Sequence, residues 1–170
     1  IGSAGAGDVQ LGGGTLRIAN DVAENGRVQV RVFSGGVQQP AEIAGGTLQF
    51  GGTVAQQARI LVDDSSAIED LLVSAVIANG GVAPLNVIKN NNGRAIFSAV
   101  NTYTPQTIIE QGELVVRNAG ALGTVGAPTQ INSGTTLLLD GVSLAEPLNP
   151  NGTGYGGVGA IRNIAGNNTL

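Results

Sequence analysis

Short alternating runs of apolar and polar residues, separated by Gly, Asn and Pro, make up the hydrophobic pattern of this chain. In Thr15-Leu16-Arg17-Ile18, Leu16 and Ile18 share one face. Residues 27–32 alternate more cleanly, with Val28, Val30 and Val32 on one face and Arg27, Gln29 and Arg31 on the other. Gly46-Thr47-Leu48-Gln49-Phe50 repeats the opening of Gly14-Thr15-Leu16 and turns Leu48 and Phe50 the same way. Further runs fall at residues 58–62, 84–89, 95–100, 107–110, 113–117, 129–131, 136–139 and 142–144. They are too short for helices and rich in β-branched residues, which predicts strands. Asn101-Thr102-Tyr103-Thr104-Pro105, Gln111-Gly112 and Asn90-Asn91-Asn92-Gly93 lie between runs and read as corners.

The runs recur. Thr107-x-Ile109-x-x-Gly112 returns 22 positions later as Thr129-x-Ile131-x-x-Gly134, and the repetition is clearest over residues 94–140. A repeat of this length is the mark of a solenoid, in which each coil buries its apolar face only against its neighbours. The expected fold is therefore all-β, a parallel β-helix of about seven to eight coils forming one unit over residues 1–170. The expected core is Leu16, Ile18, Val28, Val30, Leu48, Phe50, Ile109, Leu114, Val116, Ile131, Leu137 and Leu139. Asn101, Gly112, Asn118, Gly123 and Gly134 are the expected corners. Gly46 to Gly112 spans 66 residues, three such periods, whereas Gly14 to Gly46 spans 32. A loop between Ser34 and Pro40 is expected to absorb that mismatch. Residues 66–80 fit two patterns. Ser66-x-x-Glu69 is a capping box and Ile68, Leu71, Leu72, Ala75 and Val76 keep helical spacing, yet Leu71, Val73, Ala75 and Ile77 alternate. The strand reading is preferred.

The central stretch resembles a known family. Asn101–Thr104, then Thr107 and Ile109, then Gly112, Leu114 and Val116, then Asn118–Gly123 follow the passenger-associated β-strand repeat of bacterial autotransporters. The resemblance is close over about 30 residues, with Pro105 standing where the family usually has Gly. It implies a right-handed parallel β-helix, outside a bacterium or on its surface, and it implies no catalytic residues. Residues 72–81 followed by 84–89 resemble the strand pair that precedes the family's repeat, and residues 159–163 resemble the segments between repeats.

Composition narrows the picture further. The chain has 170 residues, 42% of them hydrophobic, with 28 Gly, two Tyr, three Phe and no Cys, Met, Trp or His. A core of Val, Ile, Leu and Ala suits a narrow solenoid interior. Absence of Cys excludes a disulfide framework and a thiolate metal site. A net charge of −4 with only eight Lys and Arg argues against nucleic acid as a partner. No run is long enough to span a membrane, so membrane attachment is expected only through parts outside this segment. Ile1 begins mid-pattern and Asn167-Asn168-Thr169-Leu170 opens a new run, which reads as a piece of a longer protein.

Candidate chemistry is sparse. Asp63-Asp64 is the one adjacent pair of aspartates. In a carbohydrate-processing β-helix two acids on one face serve as acid and base, but adjacent strand residues point to opposite faces, and a solvated turn explains the pair better. Gly5-Ala6-Gly7-Asp8-Val9 has one copy of a pattern that a calcium repeat needs several times over. Thr102-x-Thr104 is likewise a single copy of a unit that ice-binding faces repeat in each coil. Asn151-Gly152-Thr153 and Asn167-Asn168-Thr169 match the glycosylation pattern. Neither a catalytic residue nor a cofactor is expected. The expected role is structural, as a stalk, spacer or filament building block of a secreted surface protein, with neighbouring coils or copies of itself end to end as partners. The alternatives are a carbohydrate-binding or carbohydrate-processing β-helix, and an adhesin.

Overall fold

A computed structural model of the chain describes residues 8–18, 27–32, 39–53, 55 and 57–170. The loop expected between Ser34 and Pro40, most of the Gly-rich residues 5–9, and the side chains of Val28 and Val30 lie outside what is described. In chain order the strands are β1 (Val9–Gln10), β2 (Thr15–Ile18), β3 (Arg27–Val32), β4 (Ala41–Ala44), β5 (Thr47–Phe50) and β6 (Gln57–Val62). Then come β7 (Leu71–Val73), β8 (Val76–Asn79), β9 (Asn86–Asn90), β10 (Arg94–Phe97), β11 (Gln106–Ile109) and β12 (Glu113–Val116). The last are β13 (Thr129–Ile131), β14 (Thr136–Asp140), β15 (Leu148–Pro150) and β16 (Ile161–Ala165). The described helical structure is a single 3₁₀ turn, Tyr155–Gly157.

The fold is all-β, and its strands pair in parallel across three sheets. A seven-stranded sheet runs β1-β4-β7-β10-β12-β14-β16, a six-stranded sheet runs β15-β13-β11-β9-β6-β3, and a three-stranded sheet runs β2-β5-β8. Parallel neighbours need a long return connection. Here that return passes through the other sheets, and each strand meets a partner about one repeat away. Leu16 pairs with Leu48 and Ala58 with Val87, whereas Ala95 pairs with Leu114 and Ile109 with Ile131. The spacing is thus long in the first half and near 22 in the second.

The third side explains the change. In the first half it is a true strand, β2, β5 or β8, with corners before and after. Beyond β8 it continues as irregular chain. Thr102 donates its amide to Ile77 O at 2.9 Å, Asn101 to Gly120 O at 2.9 Å, and Thr124 to Tyr103 O at 3.0 Å. Val142 and Leu144 are held there by Thr169, so 142–144 forms one bridge at Ser143 rather than the expected strand. The division of 66 residues into three periods is therefore corrected: Gly46 opens a strand of the three-stranded sheet and Gly112 precedes one of the seven-stranded sheet. The interval of 32 is simply the register of Thr15 with Thr47.

Residues 66–80 form β7 and β8 with no helix, as the alternation indicated. The runs at 84–89 and 95–100 become Asn86–Asn90 and Arg94–Phe97, leaving Leu85 and Val100 exposed. Gly112, Gly123 and Gly134 all have positive φ, and a Cβ on Gly112 would lie 2.6 Å from Asn91 O of the preceding corner, so stacked corners leave no room there.

The core is a column of stacked layers. Leu71, Ala95, Leu114 and Leu137 lie in one register, and Val73, Phe97, Val116 and Leu139 in the next; all are buried. Leu48, Phe50, Ile109 and Ile131 are fully buried too, while Leu16 and Ile18 are partly buried against the same cluster. The seven-stranded sheet also buries its other face around Ile96, Val115 and Leu138, with Leu72 beside them. Strands covered on both faces read as unbroken apolar runs, as in Glu113-Leu114-Val115-Val116 and Thr136-Leu137-Leu138-Leu139.

Candidate functional site

Among the described residues, polar side chains are buried at the apolar column, and they include three centres, around Tyr103, Lys89 and Glu146. The first centres on Tyr103, which is fully buried. Its hydroxyl lies 2.7 Å from Thr107 Oγ1, and Thr107 Oγ1 donates to Leu122 O at 3.0 Å. Since a hydroxyl has one proton, Tyr103 must be the donor to Thr107. Burial pushes the Tyr103 phenol up, a shift opposed by the Thr107 bond and reinforced by the Glu146 charge. Asn101, the neighbouring corner, accepts the Ile77 amide at 2.8 Å and donates to Ala121 O at 2.6 Å. Asn118 folds the covering segment, taking the Gly120 amide on its side chain at 3.1 Å. A Cβ on Gly123 would meet the Tyr103 ring at 2.6 Å. Residues 101–104 and 118–123 therefore interlock as a cap on the third side.

The second group is Lys89, 1% exposed, in register with Ile60 and Ile109. Its stem continues an isoleucine column and its amine leaves the column at the corner. There it donates to Asn91 O at 2.5 Å, to Gln111 O at 3.0 Å and to Gly93 O. Burial pushes the amine down to about 7, while the charges of Asp70, Glu113 and Asp64 pull it up. Asp70 itself accepts the Ser65 and Arg94 amides. Lys89 thus ties two successive corners together.

The third is Glu146, 8% exposed and bonded by the hydroxyl of Thr129. Burial raises its carboxyl to about 7 against the effect of that bond. Thr129 and Thr107 each stand two residues before a register pair, Ile131 and Ile109, and these two inward threonines serve two different buried polar groups.

Outside the column, ion pairs tie layers together, Arg94–Glu113 and Arg117–Asp140 between neighbouring strands and Arg59–Glu110 and Arg117–Glu69 across the strand between them. Arg59 meets Glu110 at 2.9 Å, Arg94 meets Glu113 at 2.6 Å, and Arg117 lies between Glu69 at 2.5 Å and Asp140 at 2.8 Å. Such pairs are worth little singly, but they occupy charges that a ligand would need. Asp63 follows β6 in the turn, and its Oδ1 accepts from Asn91 Nδ2 at 2.5 Å. Thr102 and Thr104 are exposed, and Thr104 Oγ1 takes Asn79 Nδ2 at 2.9 Å. A hollow of about 320 Å³ is lined by Gln39, Pro40, Ile68 and Glu69, its one carboxylate being the partner of Arg117. Among the described residues no three Asp or Glu side chains converge to hold a metal ion.

No family model, curated protein or solved structure matches the chain. The functional reading rests on its own geometry.

Reading the sequence found Asn101, Asn118 and the glycines as corners but missed Tyr103, Thr107, Lys89, Thr129 and Glu146 as interior polar groups. A signal existed for most of them. Thr107 and Thr129 stand two residues before inward Ile109 and Ile131, and Lys89 stands two after Val87, so each belongs to the inward face.

Proposed function

We propose that this chain is a right-handed parallel β-solenoid segment of a secreted or surface-attached bacterial protein, related to the autotransporter passenger-associated repeat. Its role is mechanical: a stalk, spacer or filament unit that carries other parts away from a surface. The observation that carries this reading is the fate of its polar side chains. Tyr103, Thr107, Lys89, Thr129 and Glu146 are all turned inward and engaged with the chain itself, so they stiffen corners instead of facing a substrate. Continuous parallel pairing along the seven-stranded sheet supports it too, since a rise of ~4.8 Å per strand makes a stack about 30 Å long. Such a stack meets neighbouring coils or further copies end to end through backbone pairing.

Electron imaging of the intact assembly tests this directly. The expected result is a narrow rod on the cell surface or in a filament; a compact globular particle would overturn it. Polysaccharide turnover that disappears in an Asp63→Asn, Asp64→Asn double variant would replace the mechanical role with a catalytic one.

A further inference from the structure

The described residues contain three Asn-Gly pairs, 79–80, 92–93 and 151–152; a fourth, 25–26, lies outside them. Asn-Gly is the pair most open to self-modification, because the glycine amide nitrogen can reach the preceding side-chain carbonyl without a Cβ in the way. The nitrogen must be free to approach. At Gly80 it is not: the amide donates to Phe50 O at 2.7 Å, and the Asn79 side chain is held by Thr104. At Gly93 the amide donates to Val62 O at 2.9 Å, and the glycine is buried against Asp63 O, 2.6 Å from where a Cβ would stand. The third pair differs in each respect. Asn151 and Gly152 are both exposed, just past β15 at the edge of the six-stranded sheet. Asn151 keeps its own amide on Ile131 O at 2.9 Å, while no acceptor among the described residues holds the Gly152 amide.

We propose that Asn151 is a site of spontaneous deamidation and isoaspartate formation, and that the fold shields Asn79 and Asn92 from the same reaction. The Gly152 nitrogen attacks Cγ of Asn151. A C–N bond forms within a five-membered succinimide, the bond to the side-chain amide nitrogen breaks, and that nitrogen leaves as ammonia with the proton Gly152 gives up. Water then opens the ring at either carbonyl. One opening leaves an ordinary aspartate in place of Asn151; the other routes the chain through the side-chain carbon and lengthens the corner by one methylene. Both add a negative charge to a chain already at −4, in a corner where Gly152 stacks on Ser133. The modification therefore alters the end of this sheet and leaves the column intact.

The test is to age the purified chain at mildly alkaline pH, map each Asn-Gly peptide by mass spectrometry, and score isoaspartate by enzymatic methyl transfer. Asn151 should convert about tenfold or more faster than Asn79 and Asn92, because a hydrogen-bonded, buried amide reacts only after local opening. In concentrated urea the three rates should converge, and Asn151→Gln should remove the fast phase. Native rates at Asn79 or Asn92 equal to that at Asn151 would overturn the proposal. So would an Asn151 that stays intact in the folded chain while it converts in urea.

Discussion

Replacing Tyr103 by Phe removes one oxygen from a fully buried site and keeps the ring that Gly123 packs on. Thr107 still donates to Leu122 O, so what is lost is the proton Tyr103 gives to Thr107 Oγ1 and a weak 3.5 Å contact with Ala121 O. The cost should be about 0.5–1.5 kcal/mol, the net worth of one intramolecular hydrogen bond. Thr107→Val is nearly isosteric yet does more harm. It strands Leu122 O and leaves the phenol with only a 3.5 Å contact to Ala121 O, so two buried polar groups lose partners. The expected cost is about 2–6 kcal/mol, from about 1–3 for each such group. Once Thr107 is gone the phenol has little left to lose, so the double variant should be no less stable than Thr107→Val alone. Denaturant unfolding at constant slope measures all three. Equal costs for the two single variants, or strict additivity in the double, would refute the donor assignment and the chain of bonds built on it.

Leu114→Ala should cost about 2–5 kcal/mol as a large-to-small change in a fully buried layer; an unmoved unfolding midpoint would mean that this residue does not sit in the column. Glu146 gives the pH dependence. Its folded value near 7 exceeds the ordinary 4.5, so the folded chain keeps a proton that the unfolded chain releases in between. Stability should fall as pH rises from about 4.5 through 7, by about 3 kcal/mol in total. Glu146→Gln should flatten that slope, and a variant as pH-sensitive as the parent would exclude Glu146 as its source. Lys89→Met should fill the isoleucine column but strand the carbonyls of Asn91, Gly93 and Gln111, costing about 1–3 kcal/mol for each acceptor left bare; a neutral or stabilising result in thermal unfolding would show that the amine does not hold the corners.

Alternation alone located β2 and β3 with their limits, because each has one face apolar and one polar. It gave less for β12 and β14, where Val115 and Leu138 are buried on the outer face and no polar position marks the period. β4 escaped notice because Ala41-Glu42-Ile43-Ala44 offers a single large apolar residue; it is placed by pairing with β1 and β7. The uniform 22-residue period failed for a physical reason. A strand with two corners on the third side needs more chain than the irregular segments 101–104 and 118–123 that replace it. The interior polar groups were hidden by residue type, since Thr, Lys and Glu in corner-rich sequence are ordinarily solvated. Lys89 is satisfied inside only because three carbonyls of two different corners converge on it, and corner convergence is set by stacking that no local window contains.

Parallel stacking of successive turns is the claim on which everything else depends, and a chain with no Cys allows it to be tested by cross-linking. Gln130 of β13 and Asn149 of β15 are register partners, and the Asn149 side chain donates to Gln130 Oε1 at 2.6 Å. With both replaced by Cys, a short bifunctional thiol reagent should join them quickly within one molecule. Gln130→Cys combined with Asn163→Cys, in β16 of the other large sheet, should remain unlinked under the same conditions. Failure of the first pair to join, or equal linking of the second, would contradict the parallel stack.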